Sequence, residues 1–289
     1  MNIYDFIIAD IRIRVKCFFK IPDHHELQEF HLETDLAQPA DVEYRISVLP
    51  QNWTKQGRLV ARATGTEIYE LEEAFHRYYY WSVGDKQRYV VLVVPKASVT
   101  HYEILLQEKD LSILLPRFRL AAFLSMEYVM MRYRAFQLHA SVIEWQGRGI
   151  LFSAPSGTGK STQADLWNRF ENAGIINGDR ATLRRIGDQF MVYGSPYAGT
   201  SGIYRNVSVP VHAVVILSQG PENVIERLSV LEAFRKLYRE CTVPMWNPSL
   251  SEQLLEEVLG FAEQVPAFHL SCRPDRGAVD VLKAELEKL

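Results

Sequence analysis

The chain is poor in cysteine, close to neutral and without a long apolar run. Its 289 residues hold three cysteines, Cys17, Cys241 and Cys272, odd in number and far apart. That argues against a disulfide frame or a zinc site and predicts reduced thiols. Thirty-two Lys and Arg stand against 35 Asp and Glu, a formal charge of −3, which argues against a general nucleic-acid coat. Basic residues gather only locally, at Arg132 and Arg134 and at Arg180, Arg184 and Arg185. No run of about 18 or more apolar residues exists, so no membrane span is expected. Asp5 and Asp10 interrupt the apolar N-terminus, which therefore does not read as a signal peptide. A cytoplasmic location, without nucleic-acid or membrane partners, is the expectation. What is present is ordinary globular material: 47% hydrophobic residues, enough for one large or two medium domains.

Residues 1–112 read as a small β-rich domain with an antiparallel sheet. Ile11-Arg-Ile-Arg-Val15 and Val42-Glu-Tyr-Arg-Ile-Ser-Val48 alternate apolar and polar residues. Arg88–Val94 and His101–Leu106 are apolar runs of strand length, and Pro50–Asn52, Gly65 and Val83–Asp85 supply turns. A linking helix is expected over 113–136, with Leu120, Phe123, Leu124 and Met131 at helical spacing. Tyr128, Met130, Met131 and Tyr133 there read as core rather than as a ligand box. Residues 137–289 read as an α/β domain with mixed strand directions. Strands are expected over Leu138–Trp145, Gly149–Phe152, Ile175-Ile176, Phe190–Tyr193 and Val209–Leu217. Helices are expected from Ser161 to Ala173, Val230 to Glu240, Ser251 to Gln264 and Arg276 to Leu289.

The sharpest signal is Leu151-Phe-Ser-Ala-Pro-Ser-Gly-Thr-Gly-Lys-Ser-Thr162, which reads as a phosphate-binding P-loop. Gly157 and Gly159 let the backbone curl and aim N–H groups at one point, and the following helix adds its unpaired N-terminal N–H groups. Ser156, Gly157, Thr158, Gly159, Lys160, Ser161 and Thr162 are the candidate nucleotide-binding residues, with Lys160 reaching the β/γ-phosphates and Ser161 ligating Mg²⁺. The consensus has Gly where Ala154 stands, so the first bend is expected to differ. Asp179, after a short strand, is placed to ligate Mg²⁺ or to accept a substrate proton; a turn aspartate in Asn-Gly-Asp is the alternative. If the preceding hairpin turns on Gly147 and Arg148, Trp145 pairs with Ile150, Ile143 with Phe152, and His139 lies beside Ser156. There it either touches phosphate or is a structural histidine bonded to the loop. Gly194–Asn206 is a small-residue segment of the kind that closes over substrate, with Arg205 as a candidate for phosphate charge; an ordinary surface loop is the alternative.

Leu138-His-Ala-Ser-Val, the Gly-containing hairpin, the P-loop and Gly178-Asp179 together resemble the catalytic domain of HPr kinase/phosphorylase, whose fold is related to phosphoenolpyruvate carboxykinase. Gly194–Gly199, and Val214–Leu217 leading to Gly220–Asn223, look like a broader group of HPr-kinase-related proteins. Some of that group phosphorylate serine in precursor peptides of modified-peptide biosynthesis. The resemblance covers about residues 137–245. It implies an HPr-kinase-like P-loop domain with a mixed sheet, ATP and Mg²⁺ as cofactors, and transfer of a phosphoryl group to a hydroxyl, with serine of a peptide or protein as acceptor. It gives His139, Lys160 and Asp179 the catalytic positions and Ser161 and Asp179 the metal. Two features depart from it: HPr kinases carry two adjacent aspartates where this chain has Gly178-Asp179, and their later Glu-x-Arg-Gly element is missing. The alternatives are a kinase of free serine, a carboxykinase-like enzyme, or a nucleotide-binding module without transfer. A homo-oligomer is compatible with all of them.

Overall fold

The computed structural model describes residues 1–98, 100–113, 115, 119–197, 199–244 and 246–289, and the chain forms two units, Met1–Val129 and Met130–Leu289. The first unit is built on nine strands: β1 (Asn2–Ile8), β2 (Ile11–Cys17), β3 (His31–Leu32), β4 (Val42–Val48), β5 (Arg58–Ala63), β6 (Thr66–Glu70), β7 (Ala74–Val83), β8 (Lys86–Pro95) and β9 (His101–Leu106). They form one sheet in the order β3-β1-β2-β4-β9-β8-β7-β6-β5. The expected antiparallel sheet is in fact mixed, since β4 runs parallel to both β2 and β9. The reason is connectivity. No hairpin joins β2 to β4, and the β5–β8 meander intervenes between β4 and β9, which gives the chain length that a parallel pairing needs.

Asp5, an interruption in the sequence, is a fully buried residue of β1. Arg14 Nε donates to its Oδ1 at 2.7 Å and Arg12 donates to its Oδ2 at 2.7 Å. Burial pushes its carboxyl up, but the bonds from Arg14 and Arg12 outweigh that and hold it below the usual value. The turn at Ala9 and Asp10, with φ of 54° and 57°, closes the β1–β2 hairpin in two residues.

The helix expected over 113–136 is broken. Residues 114 and 116–118 lie outside the described residues. Beyond them come α1 (Arg119–Leu124), α2 (Met126–Met130) and a 3-10 turn at Met131–Tyr133. Ser125 and Arg134 have left-handed backbones, φ 46° and 54°, which no continuous helix accommodates. Tyr128, Met130 and Met131 are buried.

The second unit holds β10 (Ala135–Trp145), β11 (Arg148–Ser153), α3 (Lys160–Glu171), β12 (Gly174–Asn177), β13 (Arg180–Ile186), β14 (Gln189–Tyr193), β15 (Ser208–Gln219), β16 (Val224–Arg227), α4 (Val230–Glu240), α5 (Pro248–Gln264), β17 (Ala267–Cys272) and α6 (Arg276–Leu286). Two long strands each serve three neighbours. The start of β10 pairs with β13, and its later part with β11 and β12. The start of β15 pairs with β14, and the rest runs parallel to β11 and β17. Alternate residues of these strands feed two cores, as strand geometry requires. Val142, Leu151, Val214 and Ile216 pack with α4 and α5 through Leu237, Val258 and Phe261. Ile143, Ile150, Phe152 and Val215 pack with α3 and α6 through Trp167, Leu282 and Leu286. This is a mixed α/β unit with helices on both faces of the β11–β15–β17 sheet. Among the described residues no helix is long and apolar enough to cross a membrane.

Candidate functional site

The β10–β11 hairpin turns on Gln146 and Gly147, φ 52° and 75°, so Trp145 pairs with Arg148 and Ile143 with Ile150. The expected register is wrong by two residues, because a two-residue turn with both φ positive suits the strand twist better. A shift of two leaves every side chain on its expected face, but it moves His139 away from Ser156. The ladder ends at Ala140 and Ser153, and Ser153 Oγ donates to the His139 carbonyl at 3.0 Å.

After β11 the chain makes a tight turn over residues 154–159 and enters α3. Gly157 and Gly159 have φ of 79° and 119°, and a Cβ on either would meet nothing within 4 Å. Glycine is required there by backbone conformation, not by crowding. Ala154 is buried without a positive φ, so the first bend needs no glycine. Gly159 is the N-cap of α3 and no side chain caps the helix. Its first-turn N–H groups carry the positive end of the helix dipole. Ser156, Ser161 and Thr162 are exposed around it, and Thr158 is half-buried. Lys160 is buried, and its Nζ donates to the carbonyls of Ala154 at 2.8 Å and Pro155 at 3.4 Å. Burial pushes its ammonium below the usual value, against the attraction of Glu240 and Asp179.

That pair of carboxylates marks the other half of the site. Asp179 follows β12, and its Oδ1 lies 3.5 Å from His139 Nε2; Glu240, the last residue of α4, places Oε2 3.1 Å from His139 Nδ1. The imidazole thus bridges two carboxylates. The chain leaving α4 is held there because Cys241 bridges Leu138 of β10 and Thr242 N–H donates to the Gln137 carbonyl. The bond from His139 lowers the Asp179 carboxyl, burial opposes it, and Arg180 assists. Buried Asn177 fixes the backbone: its Oδ1 accepts from the N–H groups of Asp179 and Arg180 at 2.9 and 2.8 Å. Its Nδ2 donates to the carbonyls of Ser195 and Tyr197 at 2.9 and 3.0 Å. The 194–206 segment therefore passes over Asp179, and a Cβ at Gly199 would come within 2.7 Å of the Asp179 side chain. Position 198 in that segment lies outside the described residues.

Arg205 is not part of this cluster. Its guanidinium lies where a Cβ on Gly174 would meet it at 3.2 Å, at the start of β12, whereas Asp179 follows the end of that strand. The pairing of Asn177 with Tyr204 and the bond from Gly178 N–H to the Ile203 carbonyl send Arg205 to that end of β12. Arg180 is the arginine beside Asp179, with Nε 3.7 Å from Oδ2 and its other end donating to Thr242 Oγ1 at 2.8 Å. Glu240 and Arg180 escaped the sequence reading. One signal for Glu240 existed: an acid in the last turn of a helix opposes the helix dipole and so calls for another reason to be there.

Among the described residues no group of three or more His, Cys, Asp and Glu has the arrangement of a metal site. Such a cage is not what Mg²⁺ needs: it typically takes one or two carboxylates and completes its shell with water and substrate phosphate. Asp179 and the exposed Ser161 hydroxyl are oxygen donors of that kind, and the uncapped α3 N-terminus suits a polyphosphate. The residues present fit a nucleoside triphosphate with Mg²⁺.

No curated protein matches the chain. A solved structure, "Structure of the Hpr(Ser) kinase/phosphatase from Coxiella burnetii", is similar over 53% of this chain and 93% of its own, at 13% identity and a TM-score of 0.31, too slight a likeness to argue from. The model of the family described as SynChlorMet cassette protein ScmC matches residues 107–276, more than half of the chain and all of the cluster built from His139, Lys160, Asp179 and Glu240. The chain belongs to the SynChlorMet cassette protein ScmC family.

Proposed function

We propose that this protein is an ATP- and Mg²⁺-dependent kinase that transfers a phosphoryl group to a hydroxyl, with serine of a peptide or protein as the acceptor. One observation carries the reading: Lys160, at the uncapped start of α3, lies within the electrostatic reach of Asp179 and Glu240, the two carboxylates that flank His139. In-line transfer needs held phosphates, charge neutralisation and a proton acceptor at the hydroxyl, and catalysis is mostly positioning. The N–H groups of the 156–162 turn would hold the phosphates as a P-loop does, and Lys160 would exchange its bonds to the turn carbonyls for phosphate oxygens. Ser161 and Asp179 would hold the metal, which when bound neutralises charge on the phosphates. Asp179 is also the carboxylate positioned to take the hydroxyl proton. His139 orients it, and Glu240 anchors the far side of the imidazole.

The test is transfer from γ-³²P-ATP with Mg²⁺ to serine-containing peptides and to free serine. Label on a peptide, reduced about a hundredfold or more by Lys160→Ala and by Asp179→Asn, is the expected result. Wild-type turnover in both variants would overturn the site. Label on free serine alone would move the acceptor to a small molecule.

A further inference from the structure

α4 and α5 lie side by side on one face of the second unit's sheet, with Leu237 of α4 and Val258 and Phe261 of α5 turned to the core. α4 begins just after Leu228, whose N–H donates to the Ala267 carbonyl, and α5 ends at Gln264, three residues before Ala267. The two helices therefore run antiparallel as a hairpin. Each turns its other side to solvent.

The outer side of α4 carries Leu231, Arg235 and Arg239, each four residues from the next and so in one row. Lys236 flanks the row, and Glu232, the acid beside it, is held by the Ser229 cap. The outer side of α5 carries Glu252, Glu256, Leu259 and Glu263 at helical spacing, with Leu255 beside them, and α5 has no basic residue. Leu231, Leu255 and Leu259 are 54%, 43% and 37% exposed, apolar surface that a partner would remove from water. Because the helices are antiparallel, Leu231 stands at the same end of the hairpin as Leu259, and Arg239 at the same end as Glu252. One row is basic with an apolar end, the other is acidic with an apolar end, and the two apolar ends coincide. Both rows face away from the sheet, so they do not cover one another within the chain. Among the described residues Arg235, Arg239, Glu252 and Glu256 form no ion pair.

We infer that this face is a homodimer interface, in which α4 of one copy lies on α5 of a second copy and α5 lies on that copy's α4. A two-fold axis parallel to the helices makes both contacts at once and keeps the levels along the hairpin. The arginine end of one α4 then meets the Glu252 and Glu256 end of the other copy's α5, and Leu231 meets the end with Leu255 and Leu259. A second copy is the occupant because one chain carries both complementary rows, which is what a self-complementary contact requires. Helices of 11 and 17 residues give a contact about 16 to 25 Å long, packed as in a four-helix bundle. The inference does not rest on the kinase reading. It puts the contact on the helix whose last residue, Glu240, holds His139.

The experiment is sedimentation equilibrium of the full chain up to about 100 μM, where even an interface with a dissociation constant of about 10 μM is mostly dimeric. The wild type is expected at twice the mass of one chain. Arg235→Glu with Arg239→Glu sets like charges across both halves of the contact, and so does Glu252→Lys with Glu256→Lys. Each double variant should dissociate about tenfold or more readily than the wild type. An equimolar mixture of the two should recover the wild-type affinity, because each half then joins acid to base again; this rescue separates a lost contact from a lost fold. A monomeric wild type at the highest concentration would overturn the interface. So would a dimer that neither double variant weakens, or weakened variants that mixing does not rescue.

Discussion

Four helices of the second unit begin in different ways. α4 starts with a capping box, in which the Ser229 hydroxyl accepts from Glu232 N–H while Glu232 bonds back to Ser229 N–H. α5 starts with Asn247 as cap and Pro248 at its first position, and α6 starts with Asp275 accepting from Ala278 N–H. α3 starts with a glycine, no side-chain cap, no acid in its first turn and a buried lysine at its first position. The first three helices satisfy their own ends. The fourth keeps its positive end open and adds a further positive charge, which disfavours the helix on its own and makes sense when an anion completes it. Thus the same local chemistry that stabilises three elements is withheld at one, and that one adjoins the carboxylate–histidine cluster.

The largest expected effect on this comparison comes from supplying the missing cap. Mg²⁺-triphosphate at about a hundred times its dissociation constant should stabilise the chain by about 2.7 kcal/mol, read as a rise in the thermal midpoint, and Lys160→Ala should remove most of the rise. Variants at Ser229 or Asn247 should keep it, and an equal loss in all of them would mean that the anion binds elsewhere. Next, Gly159→Ala places a side chain at φ 119°, a strained backbone costing roughly 1–2 kcal/mol although the space is open; unchanged stability would show that the turn can rearrange. Asn247→Ala should cost about 1 kcal/mol in urea unfolding without altering triphosphate binding.

The smallest effect is one of pH. The bond from Asn223 foremost, and those from the backbone at Ala278 and Gly277, hold the Asp275 carboxyl below its usual value, against slight burial. A carboxyl lowered on folding contributes stability that is complete above the unfolded value near 3.8 and is lost as pH falls through the folded one. Asp275→Asn keeps the cap and should flatten the acid limb of the stability profile. A limb as steep as in the wild type would assign that loss to other carboxyls, Asp5 with its two arginines first among them.

How much of this was readable depends on how local each feature is. The extent of α4 and the 154–159 turn leading into α3 depend on neighbours in sequence, and reading them needed no tertiary contact. Strand β13 was hidden because Arg180, Arg184 and Arg185 look like a basic patch, while its apolar positions, Ala181 and Leu183, count only when the sheet buries them. The β10–β11 register depended on a choice between two turns one residue apart, Gln146-Gly147 and Gly147-Arg148. Glu240 reaches His139 across more than 100 positions through the Cys241–Leu138 bridge, and no local pattern announces it. Arg205 failed for the opposite reason: its segment does pass over Asp179, but the pairing of Tyr204 with Asn177 turns the next side chain away.

Asn177 has one further consequence. Its single carboxamide is bonded at one end to the backbone that carries Asp179 and at the other to Ser195 and Tyr197. The covering segment and the backbone that carries the acidic residue therefore share one anchoring side chain. Under the proposed kinase reading, an acceptor held beneath that segment would meet a carboxylate fixed by the same carboxamide, so admission and alignment would be one event.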